Sequence, residues 1–264
     1  MADADASLPA LADAVATIVR EAAAMAFARW HTAFARWEKA PGEPVCEVDL
    51  DVDTLLHRRL AALVPDAGWL SEETADNPQR LARRRVWVVD PIDGTRDYIR
   101  GRPGWCVSVA LVEDGRPVIG VLDAPARDEV WRAVAGGGTT RNGARIIAGG
   151  RMALAGARAP VDALPKADRD LVAVEKPNSI ALRIAMIAAD RADLVATLRW
   201  GNEWDIAAAV LLASEAGASV SDALGAPLLF NKPDPRAYGV LVSVAGIHAA
   251  AVERLATRAR AAIG

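Results

Sequence analysis

The sequence predicts a layered α/β fold built from two halves. Three observations indicate this class: apolar residues recur at helical spacing near the N-terminus, short apolar runs separated by turns follow, and strand-like and helix-like segments alternate towards the C-terminus. The chain has 264 residues, of which 52% are hydrophobic. This length and this apolar content suffice for two coupled units with a substantial core.

The first half is predicted as an α+β domain over residues 1–145. A helix is expected from residue 8 to about 37, ended by a Pro- and Gly-rich loop at 41–44, and a second helix from 49 to 63. A Glu-Asp-Gly turn predicts a hairpin, and the Gly-rich tract 135–143 is expected to be loop. The predicted strands cover 68–70, 86–89, 105–112, 117–122 and 129–133.

The second half is predicted as an α/β domain over residues 146–264. It opens with a stretch rich in Ala, Arg and Pro that shows little periodicity, after which strands and helices alternate. The predicted strands cover 171–174, 193–197 and 240–244, and the predicted helices cover 179–189, 204–215 and 246–260.

Composition limits the classes of partner that the protein can bind and indicates its compartment. The formal net charge of −3 argues against a general nucleic-acid polymer as partner but permits a small anionic substrate met by local cations. No apolar stretch reaches the roughly 18 residues of a membrane span, and Asp3 and Asp5 do not fit the positive start of a secretory signal. Cys46 and Cys106 lack the spacing of a disulfide framework or metal site, so we expect a cytoplasmic protein with buried, reduced thiols.

The most informative segment is Asp90-Pro91-Ile92-Asp93-Gly94-Thr95. Asp90 is predicted to lie at the end of a buried strand, and Asp93 follows three residues later across a sharp turn. Both carboxylates can therefore converge on a hard cation. The carbonyl of Ile92 offers a third oxygen. Gly94 and Thr95 lie where a helix would begin, a position whose N–H groups bind phosphate. The alternative for the same residues is an ordinary Asx turn that caps a helix.

Two further acidic positions, Glu72 and Asp205, have comparable settings, and Asp49 and Asp53 form a pair. Glu72 follows an apolar run, and Asp205 opens a helix, where an acid is also favourable as a plain cap. Asp49 and Asp53 share one face of a predicted helix, where like charges repel mildly unless a cation or solvent screens them.

Glu72-Glu73, the segment 90–95 and Trp204-Asp205-Ile206-Ala207-Ala208 resemble, in order and approximate spacing, the three signatures of the inositol monophosphatase superfamily. The resemblance runs from about Lys39 to the C-terminus. It implies a magnesium-dependent, often lithium-sensitive phosphatase with an αβαβα sandwich of the inositol monophosphatase/fructose-1,6-bisphosphatase type. The active site would lie between the halves. Because family members are often homodimers, the resemblance also implies that assembly.

The resemblance implies two or three Mg²⁺ ions per site. One ion would be held by Glu72, Asp90 and the carbonyl of Ile92, and a second by Asp90, Asp93 and Asp205. A third, weaker ion would depend on Glu72, which thereby joins the catalytic residues. Adjacent divalent ions would clamp the phosphate, lower the pKa of the attacking water and stabilise the leaving alkoxide.

The remaining roles also follow from the resemblance. Thr95 and Asp49 match the pair that orients and activates the water, and the N–H groups of Gly94 and Thr95 match the phosphate cradle. Cys46 is a departure, because many family members have threonine three residues before this aspartate. We expect this change to weaken support for Asp49 without removing a metal ligand.

Single residues favour bacterial 3'(2'),5'-bisphosphate nucleotidases over inositol enzymes. Leu198 stands seven residues before Asp205, where inositol monophosphatases usually carry a carboxylate that grips inositol hydroxyls. Three segments are similar to nucleotidase motifs: Thr95-Arg96-Asp97-Tyr98, Glu203-Trp204-Asp205 and Leu182-Arg183. We therefore expect hydrolysis of 3'-phosphoadenosine 5'-phosphate to AMP, with Glu203 at the substrate and Arg183 or Lys176 receiving the second phosphate.

Several observations leave alternatives open. Thr197 stands where those nucleotidases are expected to carry arginine, so an inositol monophosphatase or another sugar or histidinol phosphatase is the alternative function. Arg96, Arg100 and Arg102 form a charge run that is typical of a solvated face. A non-catalytic regulatory protein that binds metal or phosphate on the same fold is the alternative of a different class.

Overall fold

The first helix ends earlier than the sequence predicts. The computed structural model describes residues 7–263, so Asp3 and Asp5 lie outside the described residues. Helix α1 spans Leu8–Arg29, and a hairpin of β1 (Arg36–Ala40) and β2 (Glu43–Cys46) replaces the predicted end of the helix and the loop after it. His31 has a φ of 70°, which is incompatible with continuing the helix. The prediction of a helix to residue 37 is therefore wrong.

A seven-stranded sheet forms the centre of the first half. Strands β3 and β4 are parallel and the remaining neighbours are antiparallel, in the order β3-β4-β5-β6-β7-β8-β9. The last two strands replace the predicted Gly-rich loop, because Asn142 and Gly143 adopt the positive φ angles of a tight hairpin turn. The strands are β3 (Gly68–Ser71), β4 (Arg85–Asp93), β5 (Cys106–Glu113), β6 (Arg116–Ala124), β7 (Glu129–Val134), β8 (Gly138–Arg141) and β9 (Ala144–Ile146).

The second half supplies two smaller sheets, with five strands in all, and three helices. A parallel pair is formed by β10 (Arg158–Pro160) and β11 (Val172–Val174). A three-stranded antiparallel sheet has the order β12-β14-β13, in which β12 runs five residues beyond the predicted end and β13 was not predicted. Its strands are β12 (Leu194–Asn202), β13 (Ala218–Ser221) and β14 (Arg236–Val244). The helices after α2 (Glu47–Leu63) and the short α3 (Thr95–Ile99) are α4 (Ile180–Ala188), α5 (Glu203–Glu215) and α6 (His248–Ile263).

The elements stack as five alternating layers. Helices α1 and α2 cover one face of the seven-stranded sheet, α4 and α5 lie between that sheet and the three-stranded one, and α6 covers the far side. Side chains of β5 alternate accordingly: Val107 and Val109 pack towards α1 and α2, whereas Ala110 and Val112 pack towards α4 and α5. This is the predicted αβαβα sandwich. Within residues 7–263, no helix is both long enough and apolar enough to cross a bilayer.

Candidate active site

A cavity of about 840 Å³ lies where β4 ends and where α3 and α5 begin. It gathers most of the residues that the sequence singled out, from segments more than 100 residues apart. Asp49 and Glu203 are not part of its lining. The predicted residues that line it are Glu72, Asp90, Ile92, Asp93, Gly94, Thr95, Lys176, Arg183 and Asp205.

Asp90, near the end of β4, carries a buried oxygen that has no hydrogen-bond partner within residues 7–263. Its Oδ1 is unpartnered, and so is Oγ of Ser108, the residue opposite Asp90 on β5. Burial and the nearby charges of Glu72 and Asp93 raise the pKa of Asp90 well above its usual range. A buried carboxylate oxygen without a donor is costly, and a bound cation would offset that cost.

Asp93 connects the first half to the N-terminus of α4. Its carboxylate accepts hydrogen bonds from Oγ of Ser179 at 2.5 Å and from the backbone N–H groups of Ala181 at 2.7 Å and Ile180 at 3.3 Å. Burial raises its pKa to about 6 although these donors oppose the rise. Ser179 was not among the predicted site residues, although a serine directly before an apolar helix is a recognised cap signal.

Gly94 has a conformation and a setting that exclude a side chain. Its φ is +97°, and a Cβ atom there would lie 2.6 Å from the carbonyl oxygen of Gly104 and 3.0 Å from the backbone nitrogen of Ser179. The left-handed residue turns the chain from β4 directly into α3. Thr95, the first residue of α3, is thereby held at the cavity.

Thr95 and Asp49 form a connected pair beside the cavity. Oγ1 of Thr95 lies 2.9 Å from the carbonyl oxygen of Ile92 and 3.2 Å from Oδ1 of Asp49. Oδ2 of Asp49 accepts the backbone N–H of Cys46 at 2.8 Å and its thiol at 2.9 Å. Burial raises the pKa of Asp49 to about 6. The thiol of Cys46 thus makes a contact to Asp49, despite its departure from the threonine of the family pattern.

Asp205 approaches the same cavity from the second half. It is the third residue of α5, and its Oδ2 accepts the backbone N–H of Asn202 at 2.9 Å. Burial, together with the charge of Asp93, raises its pKa to about 8. Asp205, at the N-terminus of α5, is therefore an acid with a strongly raised pKa, and it lines the same cavity as the carboxylates of the first half.

Glu72 is paired with a cation from the β1–β2 hairpin. Nζ of Lys39 lies 3.0 Å from Oε1 of Glu72 and 2.7 Å from Oε1 of Glu73. Burial and the charge of Glu72 raise the pKa of Glu73 to about 7, although Lys39 opposes the rise. Asp53 fixes the end of β3 beside them, because it accepts the hydroxyl of Ser71 at 2.5 Å. No local pattern pointed to this role of Lys39, since the hairpin that carries it was not predicted.

The acids line the cavity without closing on one another, as expected for like charges. Among the residues described, no three His, Cys, Asp or Glu side chains are already gathered closely enough to hold a metal ion. The donor set nevertheless fits a hard divalent cation, because it consists of oxygens and includes the unpartnered Oδ1 of Asp90. The residues that would hold such an ion are Glu72, Asp90, Asp93 and Asp205 with the carbonyl of Ile92.

Glu203 is engaged elsewhere. It is fully buried, and its two oxygens accept the backbone N–H groups of Asn231 at 2.5 Å and Lys232 at 3.1 Å. These contacts give it a role in anchoring the loop before β14, which differs from the substrate contact expected from the sequence. Arg183 does line the cavity, and its guanidinium donates to the carbonyl oxygen of Asn178 at 3.0 Å.

Comparison with known proteins identifies the family. The model of the "Inositol monophosphatase family" matches residues 8–263. The chain is 35% identical over 207 residues to the "Nus factor SuhB" of Xylella fastidiosa, with 72% of each chain covered. It is 32% identical over 212 residues to the "3'(2'),5'-bisphosphate nucleotidase CysQ" of Aggregatibacter actinomycetemcomitans, which covers 74% of this chain and 77% of that one.

A solved structure agrees with the sequence relatives. The IMPase of Thermotoga maritima superposes with a TM-score of 0.81 at 26% identity, covering 96% of this chain and 98% of that one. The relatives named here are a SuhB, a CysQ nucleotidase and an IMPase. The chain with the αβαβα layers and the acidic cavity described above is similar to all three. On these findings the chain belongs to the inositol monophosphatase family and is an enzyme of the phosphoric monoester hydrolase class.

Proposed function

We propose that this enzyme is a magnesium-dependent phosphomonoesterase that hydrolyses a small phosphorylated metabolite with an activated water. The observation that carries the proposal is the cavity that four carboxylates line beside Thr95, with the unpartnered oxygen of Asp90 among them. Oxygen donors from both halves make up this set, and Mg²⁺ prefers such ligands.

Two or three Mg²⁺ ions are proposed for the site. Glu72, Asp90 and the carbonyl of Ile92 would hold one, Asp90, Asp93 and Asp205 would hold another, and Glu72 would support a weaker third. Bound there, the ions supply charge neutralisation on the phosphate and a lowered pKa for the attacking water.

The proton of the attacking water is proposed to pass to the pair formed by Thr95 and Asp49. Oγ1 of Thr95 has a single hydrogen, which it directs to the carbonyl of Ile92 or to Asp49, so its lone pairs are available to accept from a water in the cavity. Asp49, with its pKa near 6, is largely ionised at neutral pH and can take up the proton. The N–H groups of Gly94 and Thr95 would orient the phosphate.

For the substrate we propose a 3'(2'),5'-bisphosphate nucleotide, with hydrolysis of 3'-phosphoadenosine 5'-phosphate to AMP. Leu198 lines the cavity and offers no carboxylate to inositol hydroxyls, whereas Arg183 and Lys176 line it as cations for an anionic substrate. The CysQ relative bears the name of that activity, while the IMPase relative makes inositol monophosphate the second candidate.

A phosphate-release panel tests the proposal. The substrates are 3'-phosphoadenosine 5'-phosphate, inositol 1-phosphate, histidinol phosphate and fructose 1,6-bisphosphate, each with Mg²⁺ and with a chelator. We expect the highest kcat/KM for the nucleotide. With the chelator, we expect no phosphate release above background from any of the four substrates. Equal or higher kcat/KM for inositol 1-phosphate would overturn the substrate, and release that persists without any divalent ion would overturn the mechanism.

Compartment and assembly are proposed on separate grounds. Cys46 and Cys106 are both buried and unpaired, which supports a reducing compartment such as the cytoplasm. A homodimer is the assembly that the family resemblance implies, and sedimentation of the purified chain would test it.

A further inference from the structure

A second cavity adjoins the catalytic one. It measures about 530 Å³, and Arg96, Lys176 and Asn178 line both cavities. The two spaces therefore meet at these three side chains. A substrate held at the carboxylates would have to extend past Lys176 to reach the second cavity.

The second cavity is lined by an excess of cations. Its acidic residues are largely engaged: Glu175 pairs with Arg127 at 2.9 Å, Asp162 pairs with Lys176, and Oδ2 of Asp97 accepts the backbone N–H of Asn178 at 3.2 Å. The cationic residues of the lining are Arg96, Arg100, Arg102, Arg127 and Lys176.

Three of these arginines have no carboxylate partner in the part of the chain that the structure describes. Within residues 7–263, Arg96, Arg100 and Arg102 form no ion pair, and all three side chains are exposed. Arg96 donates instead to the carbonyl oxygen of Gly42 on the β1–β2 hairpin. Their charge is therefore available to an anion that enters from solvent or from the catalytic cavity.

The backbone that carries these arginines is held in place, unlike that of an ordinary solvated charge run. After α3, the N–H of Gly101 donates to the carbonyl of Tyr98 at 3.1 Å, and the N–H of Arg102 donates to the carbonyl of Asp97 at 2.8 Å. The hydroxyl of Tyr98, a buried side chain, donates to the carbonyl of Ala26 at 2.8 Å. Arg100 and Arg102 are consequently presented from a fixed turn.

We propose that this second cavity binds a further phosphoryl group of the substrate, so that the enzyme selects phosphomonoesters that carry another phosphate. The proposal rests on the phosphatase function proposed above. Arginine suits this task because its planar guanidinium forms paired, charge-assisted hydrogen bonds to phosphate oxygens. Arg183 would remain with the part of the substrate inside the catalytic cavity, and Arg100 and Arg102 would take the remote phosphate.

The test compares substrates that differ by one phosphate. Arg100→Ala/Arg102→Ala is assayed with Mg²⁺ on 3'-phosphoadenosine 5'-phosphate against adenosine 3'-monophosphate, and on fructose 1,6-bisphosphate against fructose 1-phosphate. Arg260→Ala, an exposed arginine on α6, is the matched control. We expect kcat/KM for at least one bisphosphate to fall by about tenfold or more, with its monophosphate partner and the control unchanged.

Each outcome decides the proposal. A loss confined to a bisphosphate supports it, and the affected pair shows whether a nucleotide or a sugar carries the second phosphate. Equal losses on both members of each pair, or no loss at all, would overturn it.

A binding measurement separates this proposal from the phosphatase function. Calorimetry of both nucleotides uses Ca²⁺, which takes the same oxygen ligands, in place of Mg²⁺. The unaltered chain should bind the bisphosphate about tenfold more tightly, and the double variant should lose that preference. A preserved preference in the variant, or none in the unaltered chain, would contradict the second site even if no substrate is hydrolysed.

Discussion

Two helix starts, one in each half of the molecule, carry an aspartate at the same position. Asp49 is the third residue of α2 and Asp205 is the third residue of α5. Each carboxylate accepts the backbone N–H of the residue just before its helix, from Cys46 at 2.8 Å and from Asn202 at 2.9 Å. The local geometry is therefore nearly the same, and it is the one that caps helices generally.

The surroundings of the two aspartates differ. Asp49 also accepts the thiol of Cys46 and contacts the hydroxyl of Thr95, and its pKa rises to about 6. Asp205 lies near the charge of Asp93, and its pKa rises to about 8. The number of donors and nearby charges thus distinguishes an acid suited to accept a proton near neutral pH from one that needs a cation.

Removing the acid of the second half should have the largest effect. Asp205→Asn should lower kcat/KM at least about 10³-fold, because it removes a proposed metal ligand and metal-ion stabilisation is worth several kcal/mol. The metal-free fold should stay as stable or become more stable, since one buried charge is gone. Phosphate release and thermal unfolding in a chelator measure the two effects. Asp190→Asn, an exposed substitution, is the control. Near-normal activity would remove Asp205 from the metal site.

Removing the acid of the first half should have a smaller effect. Asp49→Asn should lower kcat by about 10²- to 10³-fold at saturating Mg²⁺, the range expected for loss of a general base. The Mg²⁺ concentration at half-maximal activity should change little, because Asp49 is not assigned as a ligand. Asp51→Asn, on the exposed side of α2, is the matched control. A large shift in the Mg²⁺ requirement would instead make Asp49 a ligand.

The pH dependence of stability should separate the two aspartates further. In both, the pKa in the folded protein lies above the usual 3.8, so the folded state binds more protons than the unfolded chain between about pH 4 and 8. The melting temperature of the metal-free protein should therefore fall as the pH rises through that range. Calorimetry should show that Asp205→Asn flattens this dependence more than Asp49→Asn does. Equal flattening would contradict the difference in proton affinity.

The smallest effect is expected at the thiol beside Asp49. Cys46→Ala removes the donor at 2.9 Å and should cost about 1 kcal/mol of stability and about tenfold in kcat. Cys46→Thr supplies a hydroxyl donor in place of the thiol and should retain most of the stability and of kcat. Urea unfolding and steady-state kinetics measure them. Failure of threonine to restore what alanine loses would mean that the hydrogen bond to Asp49 is not what matters there.

Prediction from sequence was most successful where one strong local signal decides the structure. The apolar run of β5 predicts that strand over nearly its observed residues. The predicted end of β4 at residue 89 is wrong, because Pro91 falls where the pairing with β5 is irregular, so the strand continues to Asp93 and the turn follows at Gly94. The hairpin over 36–46 was missed because β1 is mostly exposed and shows no apolar alternation: its one large apolar residue, Trp37, falls at the predicted end of the first helix. Strands β8 and β9 were hidden by glycines whose tight turns are compatible with a sheet edge.

Contacts between distant segments account for the residues at the cavity that were not predicted. Lys39 reaches Glu72 across 33 residues, and Ser179 reaches Asp93 across 86. No spacing rule links such pairs, since their meeting depends on the packing of whole layers. Glu203 illustrates the reverse case. The resemblance of Glu203-Trp204-Asp205 to a nucleotidase motif predicts a substrate contact, whereas backbone N–H groups of the loop before β14 donate to both oxygens of Glu203.

The bond between Ser179 and Asp93 has a consequence for how the enzyme comes into being. Asp49, Glu72, Asp90 and Asp93 all precede residue 100, while Ser179 and Asp205 lie far behind them in the chain. During synthesis the early acids therefore leave the ribosome long before the segments that complete their site. Because contacts this far apart in sequence form late, catalytic competence should be among the last properties that the growing chain acquires.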